Sequence, residues 1–473
     1  MTGAQRQTDR RWLALGLLAV TQFMLIADQT VVNIALPSMG ADLDLGGVDL
    51  SWVVNAYVLT FGGLLLLAGR ASDVFGRRRM FVAGMLLFAG ASLTGGFAER
   101  AGVLIAARAL QGAGAAVLAS AGLAAMMATF PEGPDRNRAL GIWAGAAGSG
   151  GAVGVLLGGL LTDGPGWPWV LWINVPIGIA GAVLAPRLLA ESPRASDRRF
   201  DLVGAVSATV GVSLLVFAFT QAEHAGWTSV QTLAVLLVAV CMLVGFVAFE
   251  RLAAQPMLPL RVFESRALSV ANGTMVLFAG AIYAVMFFLS LYLQEVLGYS
   301  PLEAGLAYIP LAMGLVFGPV GGRLLTAAGP RATMLGGLTL ATGGVLWFSF
   351  ISADGSFLVN VLGPSLLIAS GGQFTVVGMT TFALAGVRDT DQGVASGLFN
   401  TSREVGGAFG VGLLAAIAAS HTDAVDGASQ AIALSEGYQL GMLGAAAMAA
   451  LALLCATLTL PSSRHAALAA RSP

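Results

Sequence analysis

The sequence is poor in charged residues and in cysteine, and it contains no lysine at all. Of its 473 residues, 10% are charged and 57% are apolar, and the mean hydropathy is +0.82. A soluble globular domain has about a quarter of its residues charged, so this composition excludes a soluble protein and predicts one that crosses a membrane many times. All 24 basic residues are arginine. Without lysine the chain cannot complete the Gly-Lys-Ser/Thr end of an ATPase phosphate-binding loop, so its energy must come from an ion gradient or a substrate gradient.

The two cysteines, Cys241 and Cys455, both lie within apolar runs. We interpret them as buried or lipid-facing small side chains. No disulfide, metal site, cofactor or catalytic residue is predicted, and no nucleic acid partner is expected.

Apolar runs long enough to cross ~30 Å of hydrocarbon predict fourteen membrane helices. Both tails are expected in the cytoplasm, because this arrangement puts 21 of the 24 arginines in tails and loops on that side. Of the other three, Arg100 falls outside, and Arg108 and Arg403 fall within helices. The first run follows Arg10 and Arg11 directly and is too long for a signal peptide. The predicted spans are 12–36, 50–69, 79–98, 102–128, 139–161, 168–190, 202–221, 229–250, 267–293, 303–325, 332–352, 357–382, 393–419 and 437–460.

An arginine-rich stretch between the second and third spans predicts a short cytoplasmic turn, for which we use the name arginine loop (residues 69–79). Its candidate gating residues are Gly69, Arg70, Asp73, Gly76, Arg77 and Arg78. Glycine allows a tight turn, a carboxylate can cap a helix, and arginines can reach helix C-termini or anionic lipid. A weaker copy with the same spacing, 322–331, lies 253 residues later, with Thr326 at the position of Asp73. Two copies of one turn predict two related halves.

The offset between the two copies fits six helices plus two extra ones. We therefore predict an all-α polytopic membrane protein of two six-helix bundles with two extra central helices. The predicted division is a cytoplasmic tail at 1–11, the first bundle at 12–190, linkers and extra helices at 191–265, the second bundle at 266–460, and a cytoplasmic tail at 461–473.

Two charged residues inside predicted helices are candidates for function. Asp28 lies in the first span, within the stretch 25–37, and Arg108 begins the stretch 108–115 in the fourth. A charge in hydrocarbon costs at least ~2.5 kcal/mol, so each needs a partner or water. At 1.5 Å per residue Asp28 lies ~13 Å and Arg108 ~10 Å below the outer surface, so the two residues lie at similar depths. An interhelical hydrogen bond without a transport role is the structural alternative for Asp28.

These stretches resemble the major facilitator superfamily. The arginine loop is similar to its motif between helices 2 and 3, 108–115 is similar to its R-x-x-Q-G-x-G motif, and 25–37 is similar to the helix-1 motif of its fourteen-spanning drug:proton antiporters. The resemblance implies the major facilitator fold, with two bundles rocking about a central cavity. It also implies proton coupling through Arg108, and it implies that helices 1 and 4 both border the cavity, so that Asp28 and Arg108 can meet. We predict that Asp28 is the principal proton carrier and that the arginine loop acts as a gate. Further similar stretches extend along nearly the whole chain, at 172–176, 292–305 and 393–407.

The fifth span is rich in glycine and resembles a motif of exporters in that superfamily. Its motif residues are Gly150, Gly154, Gly158 and Gly159. Val155 occupies the place of the motif's proline, which puts a proline-dependent bend in doubt, whereas close helix packing survives the change.

Polar and aromatic residues of several spans are candidates for lining a substrate cavity, although at helical spacing they equally fit a core or a lipid-facing position. They are Asn33, Tyr57, Gln111, Trp143, Tyr283, Phe287 and Gln373. Arg403 and Glu404 are adjacent, so on a helix they point about 100° apart. We expect that they do not both face a cavity and that one of them pairs with another helix.

Together these features predict a proton-coupled exporter of amphipathic or lipophilic small molecules, such as antibiotics, dyes, and cationic or aromatic drugs. The alternative is a proton symporter that imports a small polar solute, which would need more polar groups facing the cavity. A membrane-embedded enzyme is a third class, but no Ser-His-acid grouping or H-E-x-x-H is evident. We expect a functional monomer in the bacterial inner (plasma) membrane, in contact with lipid and driven by the proton gradient.

Overall fold

The computed structural model describes residues 3–45, 47–191, 202–253, 258, 260–299, 301–384, 387–388, 391–422 and 430–459, and every element within them is helical. The α-helices are α1 (Gly3–Leu43), α2 (Gly47–Phe75), α3 (Arg77–Gly96), α4 (Ala101–Thr129), α5 (Pro134–Asp163), α6 (Pro168–Trp172), α7 (Asn174–Leu188), α8 (Leu202–Ala225), α9 (Val230–Leu252), α10 (Arg266–Leu291), α11 (Pro301–Ala307), α12 (Ile309–Ala312), α13 (Gly314–Phe348), α14 (Gly363–Leu384), α15 (Gln392–Thr422) and α16 (Gln430–Thr459). Short 3-10 or π segments lie at Leu260–Glu264, Tyr292–Val296 and Phe357–Leu362.

The all-α polytopic architecture expected from the sequence is confirmed. By length and hydropathy, the described residues contain eleven candidate membrane spans, or twelve if the bent helix α5 is included. One candidate, Glu303–Phe348, covers two predicted spans, and its helical path breaks at Gly329 (φ 81°, ψ 168°), a conformation that glycine adopts without strain. A shorter apolar stretch, Val206–Phe219, lies in α8. The count of fourteen membrane helices stays a prediction.

The helices pack in two groups with matching neighbours. In the first group α1 packs on α5, and α4 packs between α2 and α3. In the second group α10 packs on α15, and α13 packs on α14. The groups touch along two lines, which we name the α2–α15 seam and the α5–α13 seam. This pairing places the arginine loop and its copy at the ends of opposite seams.

The two additional helices lie beside one seam. Helix α8 packs on both α2 and α15, and α9 packs on α8. Ser213 Oγ donates to Leu59 O of α2 at 3.3 Å, and Trp227 Nε1 donates to Gly412 O of α15 at 3.1 Å. Helix α8 therefore has a polar contact with α2, and the turn that follows α8 has one with α15.

The position of α4 depends on a close approach to α2. A Cβ at Gly112 would lie 2.4 Å from Tyr57 O, so only glycine fits there without a shift. Beside it, Thr60 Oγ1 donates to Ala109 O of α4 at 2.8 Å. Lipid surrounds such helices on the outside, so small residues and interhelical hydrogen bonds, rather than burial from water, fix their positions. This contact holds the helix that carries Arg108.

Candidate functional site

Asp28 of α1 and Arg108 of α4 form an ion pair inside the first bundle. Arg108 Nη1 lies 2.8 Å from Asp28 Oδ2, and the two side chains are 0% (Asp28) and 2% (Arg108) exposed. Removing one partner of such a buried pair typically costs ~3–5 kcal/mol, because the other charge is left without compensation. The two residues that we expect to meet are therefore in direct contact.

The carboxylate of Asp28 accepts two further hydrogen bonds, one from α7 and one from α4. Asn174 Nδ2, at the start of α7, donates to Asp28 Oδ1 at 2.7 Å. Gln111 Nε2, one turn along α4 from Arg108, donates to the same oxygen at 3.4 Å. Sequence reasoning missed Asn174, although the stretch 172–176 that contains it was noted for its resemblance. An asparagine inside an apolar run was the available signal.

The guanidinium of Arg108 is held on several sides. Its Nη1 also donates to Gln111 Oε1 at 2.9 Å, and its Nε donates to Val53 O of α2 at 3.2 Å. The Tyr57 ring lies 4.3 Å from Arg108 Cζ, which is the geometry of a cation–π contact. Gln111 Nε2 in turn donates to Ser92 Oγ of α3 at 2.7 Å. The candidates Asp28, Arg108, Tyr57 and Gln111 thus form one network, which Asn174, Ser92 and a carbonyl of α2 complete.

The arginine loop contacts the start of α15 across the α2–α15 seam. Asp73 accepts hydrogen bonds from Gly393 N at 3.0 Å and Val394 N at 3.1 Å, so the carboxylate caps the positive end of α15. Arg77 Nη2 lies 3.9 Å from Asp73 Oδ1 and forms the adjacent ion pair. Gly69 packs directly on Gly393. The loop therefore joins the two groups of helices.

Two of the remaining gating candidates, Gly76 and Arg78, lie beside Glu191 and the end of α7. Arg78 Nε donates to Glu191 Oε2 at 3.1 Å, and Arg78 Nη1 donates to Pro186 O of α7 at 3.4 Å. Gly76 has φ 97°, which favours glycine, and a Cβ there would lie 2.5 Å from Glu191 Oε1. Arg70 is buried. One end of the loop thus holds α15, and the other holds the end of α7.

The copy of the loop makes a weaker contact across the other seam. Thr326 Oγ1 accepts a hydrogen bond from Asn137 Nδ2 of α5 at 3.1 Å and donates to Gly322 O. Nearby, Gly318 and Gly141 pack backbone to backbone. Both copies of the turn therefore bridge the two halves of the chain.

Three of the four motif glycines of α5 face α1. A Cβ at Gly150, Gly154 or Gly158 would lie within 3.0 Å of α1 atoms, whereas one at Gly159 would meet nothing within 4 Å. Val155, in the place of the family's proline, approaches Gly305 of α11 in the second half of the chain. The glycines thus act in packing within the first bundle, and Val155 contributes to the contact between halves.

A further ion pair lies in α15. Arg403 Nη2 is 2.9 Å from Glu404 Oε1, which also accepts a hydrogen bond from Tyr283 Oη of α10 at 3.3 Å. The adjacent residues thus pair with each other, and Glu404 in addition binds another helix.

The remaining cavity candidates are dispersed. Asn33 is exposed on α1, and Phe287 is half-buried with its ring 5.4 Å from that of Phe288. Trp143 is buried and packs near Gly122 of α4. Gln373 of α14 is buried between Gly148 of α5 and Gly314 of α13, at the contact between the halves. These four do not join the Asp28 network. Among the described ranges, no grouping of three or more His, Cys, Asp or Glu fits a metal ion.

Comparison with known proteins gives one consistent result. Residues 18–411 match the model of the Major Facilitator Superfamily. The chain is 40% identical to the cephamycin export protein CmcT of Amycolatopsis lactamdurans over 429 residues, 89% of this chain and 88% of the relative. It is 38% identical to the puromycin resistance protein pur8 of Streptomyces alboniger, covering 89% of this chain and 84% of the relative. It is 33% identical to the tetracenomycin C resistance and export protein of Streptomyces glaucescens, covering 89% of this chain and 78% of the relative.

A solved structure shares the fold. The human organic anion transporter MFSD10 superimposes with a TM-score of 0.64 over 96% of this chain and 100% of that one, at 14% sequence identity. At that identity the likeness concerns the fold alone.

Proposed function

The chain belongs to the Major Facilitator Superfamily, and from this premise we propose that it exports antibiotics or other amphipathic small molecules across the membrane in exchange for protons. The observation that carries the proposal is the fully buried carboxylate of Asp28 in its ion pair with Arg108. A titratable group buried in a membrane helix is expensive and marks a functional site by default. The family is one of multi-pass transporters, not of enzymes.

Similarity to named exporters supports the direction of transport. Three relatives that each align with 89% of this chain are named for the export of an antibiotic, for resistance to one, or for both. The glycine-rich face of α5 that packs on α1 is also compatible with the exporter motif that the sequence resembles. The alternative, import of a small polar solute with protons, would need a more polar path than these helices supply.

The chemistry of exchange follows from the ion pair. While Arg108 is paired with Asp28, the carboxylate keeps its negative charge. When the guanidinium moves away from Asp28, the desolvated carboxyl binds a proton instead. A cationic substrate can compete with that proton for the same carboxylate. Binding of one and release of the other on opposite sides of the membrane constitutes antiport.

The arginine loop acts as a latch in this scheme. Its contact with the start of α15 is made when the halves meet on the loop side, so it stabilises the conformation closed to that side. We place that side in the cytoplasm, with both termini, because the arginines concentrate there. We also assign the chain to the fourteen-spanning drug:proton antiporters, as a functional monomer in the bacterial plasma membrane.

The test is transport in vesicles that carry an imposed pH gradient. An antiporter accumulates a fluorescent cationic dye in vesicles with an acidic interior, whereas a symporter accumulates its solute when the exterior is acidic. Asp28→Asn is expected to abolish gradient-driven accumulation and substrate-induced proton release while the protein still inserts. The matched control is Asp163→Asn at the exposed end of α5, which is expected to transport normally. Full gradient-driven transport by Asp28→Asn would refute the assignment of Asp28 as the proton carrier.

The role of Arg108 has a separate readout. Arg108→Ala removes the cation that stabilises the carboxylate of Asp28, so the pH optimum of transport is expected to move to higher pH. The rate of dye transport is measured across a pH series in the same vesicles. An unchanged pH profile would eliminate the coupling between the two residues.

A further inference from the structure

Asn174 stands at the one oxygen of Asp28 that Arg108 does not bind. Arg108 contacts Oδ2, and Asn174 Nδ2 contacts Oδ1 at 2.7 Å. Asn174 is 3% exposed and begins α7, directly after the turn that follows α6. An amide of this kind is costly to bury unless it is hydrogen-bonded. Because it contacts a titratable carboxyl, Asn174 is a candidate for a role in the proton exchange of Asp28.

A carboxyl that exchanges a proton needs different partners in its two states. The ionised form only accepts hydrogen bonds, whereas the protonated form also donates one through its O–H. A buried O–H without an acceptor costs about 1–3 kcal/mol. Arg108 cannot supply that acceptor, because a guanidinium has only donors. A second neighbour of Asp28 must do so if the neutral carboxyl is to be stable.

Two amides touch Asp28, and only one of them can reverse its orientation. Gln111 is held at both ends, since its Oε1 accepts from Arg108 and its Nε2 donates to Ser92. Among the described residues, the Asn174 side chain has only its hydrogen bond to Asp28. A half-turn of the Asn174 amide about its Cβ–Cγ bond replaces the N–H donor by the carbonyl acceptor.

We propose that Asn174 is a positioning residue that binds Asp28 in both protonation states, donating to the carboxylate and accepting from the carboxylic acid. The inference rests on the proposed function, because it assumes that Asp28 exchanges a proton. Water on either side of the membrane supplies and receives the proton, and Asn174 itself neither gains nor loses one. The hydrogen bond to the charged carboxylate is the stronger of the two, so Asn174 also affects the pH range over which Asp28 exchanges its proton.

Three substitutions test this role. Asn174→Leu removes donor and acceptor at similar size. Asn174→Asp places a second carboxylate beside the first, so that the two share a proton. Asn174→Gln keeps the amide. The matched control is Asn272→Leu on α10, where a buried asparagine donates to Leu268 O and accepts from Ser402 without touching Asp28.

The measurements are substrate-induced proton release from purified protein across a pH series, gradient-driven dye transport, and dye exchange without a gradient. Asn174→Leu is expected to slow gradient-driven transport ~10-fold, as loss of a hydrogen bond to a charged group predicts, while exchange without a gradient continues. Asn174→Asp is expected to move the midpoint of proton release to higher pH. Asn174→Gln is expected to restore the parent midpoint, and Asn272→Leu is expected to leave it unchanged.

Two outcomes would overturn the proposal. One is that the midpoint pH of proton release in both Asn174→Leu and Asn174→Asp equals that of the parent protein. The other is an equal loss of gradient-driven transport and gradient-free exchange without any shift of the midpoint, which is the result of a merely structural role. If Asn174→Leu fails to insert, the comparison of Asn174→Asp with Asn174→Gln decides in the same way. Failure of the proposed function is distinct, because then Asp28→Asn would retain gradient-driven transport.

Discussion

The arginine loop and its copy at 322–331 join the same two halves by different chemistry. In the loop, the carboxylate of Asp73 accepts from two backbone N–H groups at the start of α15, and its side chain is 1% exposed. In the copy, the hydroxyl of Thr326 accepts from the amide of Asn137 at an exposed position. Hydrogen bonds to a charged group are about twice as strong as neutral ones, and exposed ones are weaker still. The α2–α15 seam therefore has the stronger polar lock.

Glycine packing is what the two seams have in common. A Cβ at Gly393 would lie 2.4 Å from Gly69 O in one seam, and a Cβ at Gly318 would lie 2.1 Å from Gly141 O in the other. Both distances are below any that real Cβ atoms show, so the helices must separate if either glycine is replaced. Backbone contact between glycines therefore closes both seams, whereas only the α2–α15 seam adds a charged hydrogen-bond acceptor, the carboxylate of Asp73.

The largest effect is expected from filling the glycine contacts. Gly393→Val and Gly318→Val each force a close-packed pair of helices apart, at up to about 3 kcal/mol, or ~100-fold in the population of the state closed on the loop side. Transport rates in vesicles measure the loss. Gly90→Val is the control, because a Cβ at this α3 glycine meets nothing within 4 Å. A seam that tolerates valine would not depend on backbone contact.

An intermediate effect is expected from Asp73→Asn. The amide still accepts one hydrogen bond but loses the charge at the start of α15, a loss of about 1–2 kcal/mol or ~10-fold in turnover. Substrate affinity, measured by dye binding, is expected to stay nearly unchanged, because Asp73 lies in the loop and not beside Asp28. A large loss of affinity with normal turnover would contradict the latch, and an unaltered rate would leave the loop with a role in topology alone.

The smallest effect is expected from Thr326→Val, which removes the exposed neutral hydrogen bond from Asn137 and the local one to Gly322 O within α13. The expected loss is about 0.5 kcal/mol, or ~2-fold in turnover, measured in the same vesicles as Asp73→Asn. Equal effects of the two substitutions would show that the polar contacts of the two seams are of similar strength. A larger effect of Asp73→Asn would assign the stronger polar contact to the α2–α15 seam.

Much of the candidate site followed from local features of the sequence. Asp28 and Arg108 stand out because charges inside apolar runs are costly, and the rise per residue of a helix placed them at similar depths. Their distance of 2.8 Å agrees with that estimate. Asn174 was not found, because it lies 146 residues from Asp28 and a neutral amide in an apolar run carries no comparable energetic signal.

The partners of the arginine loop were likewise beyond local reasoning. The sequence predicted a polar turn with a carboxylate suited to capping a helix, but the first backbone N–H that the carboxylate binds lies 320 residues later. Arg403 and Glu404 show a similar limit. Their angular separation on a helix is correct as geometry, yet long side chains bend back and form an ion pair with each other.

By itself the sequence determined the class of the protein, its all-helical character and the residues whose charge needs compensation. These properties depend on composition and on spacing within one helix, which the order of residues contains directly. The tertiary structure alone decided which helix each motif faces: α1 for the glycines of α5, the start of α15 for Asp73, and Asn174 for the second oxygen of Asp28. Such pairings join residues distant in the chain, and they are fixed by how closely small residues let backbones approach.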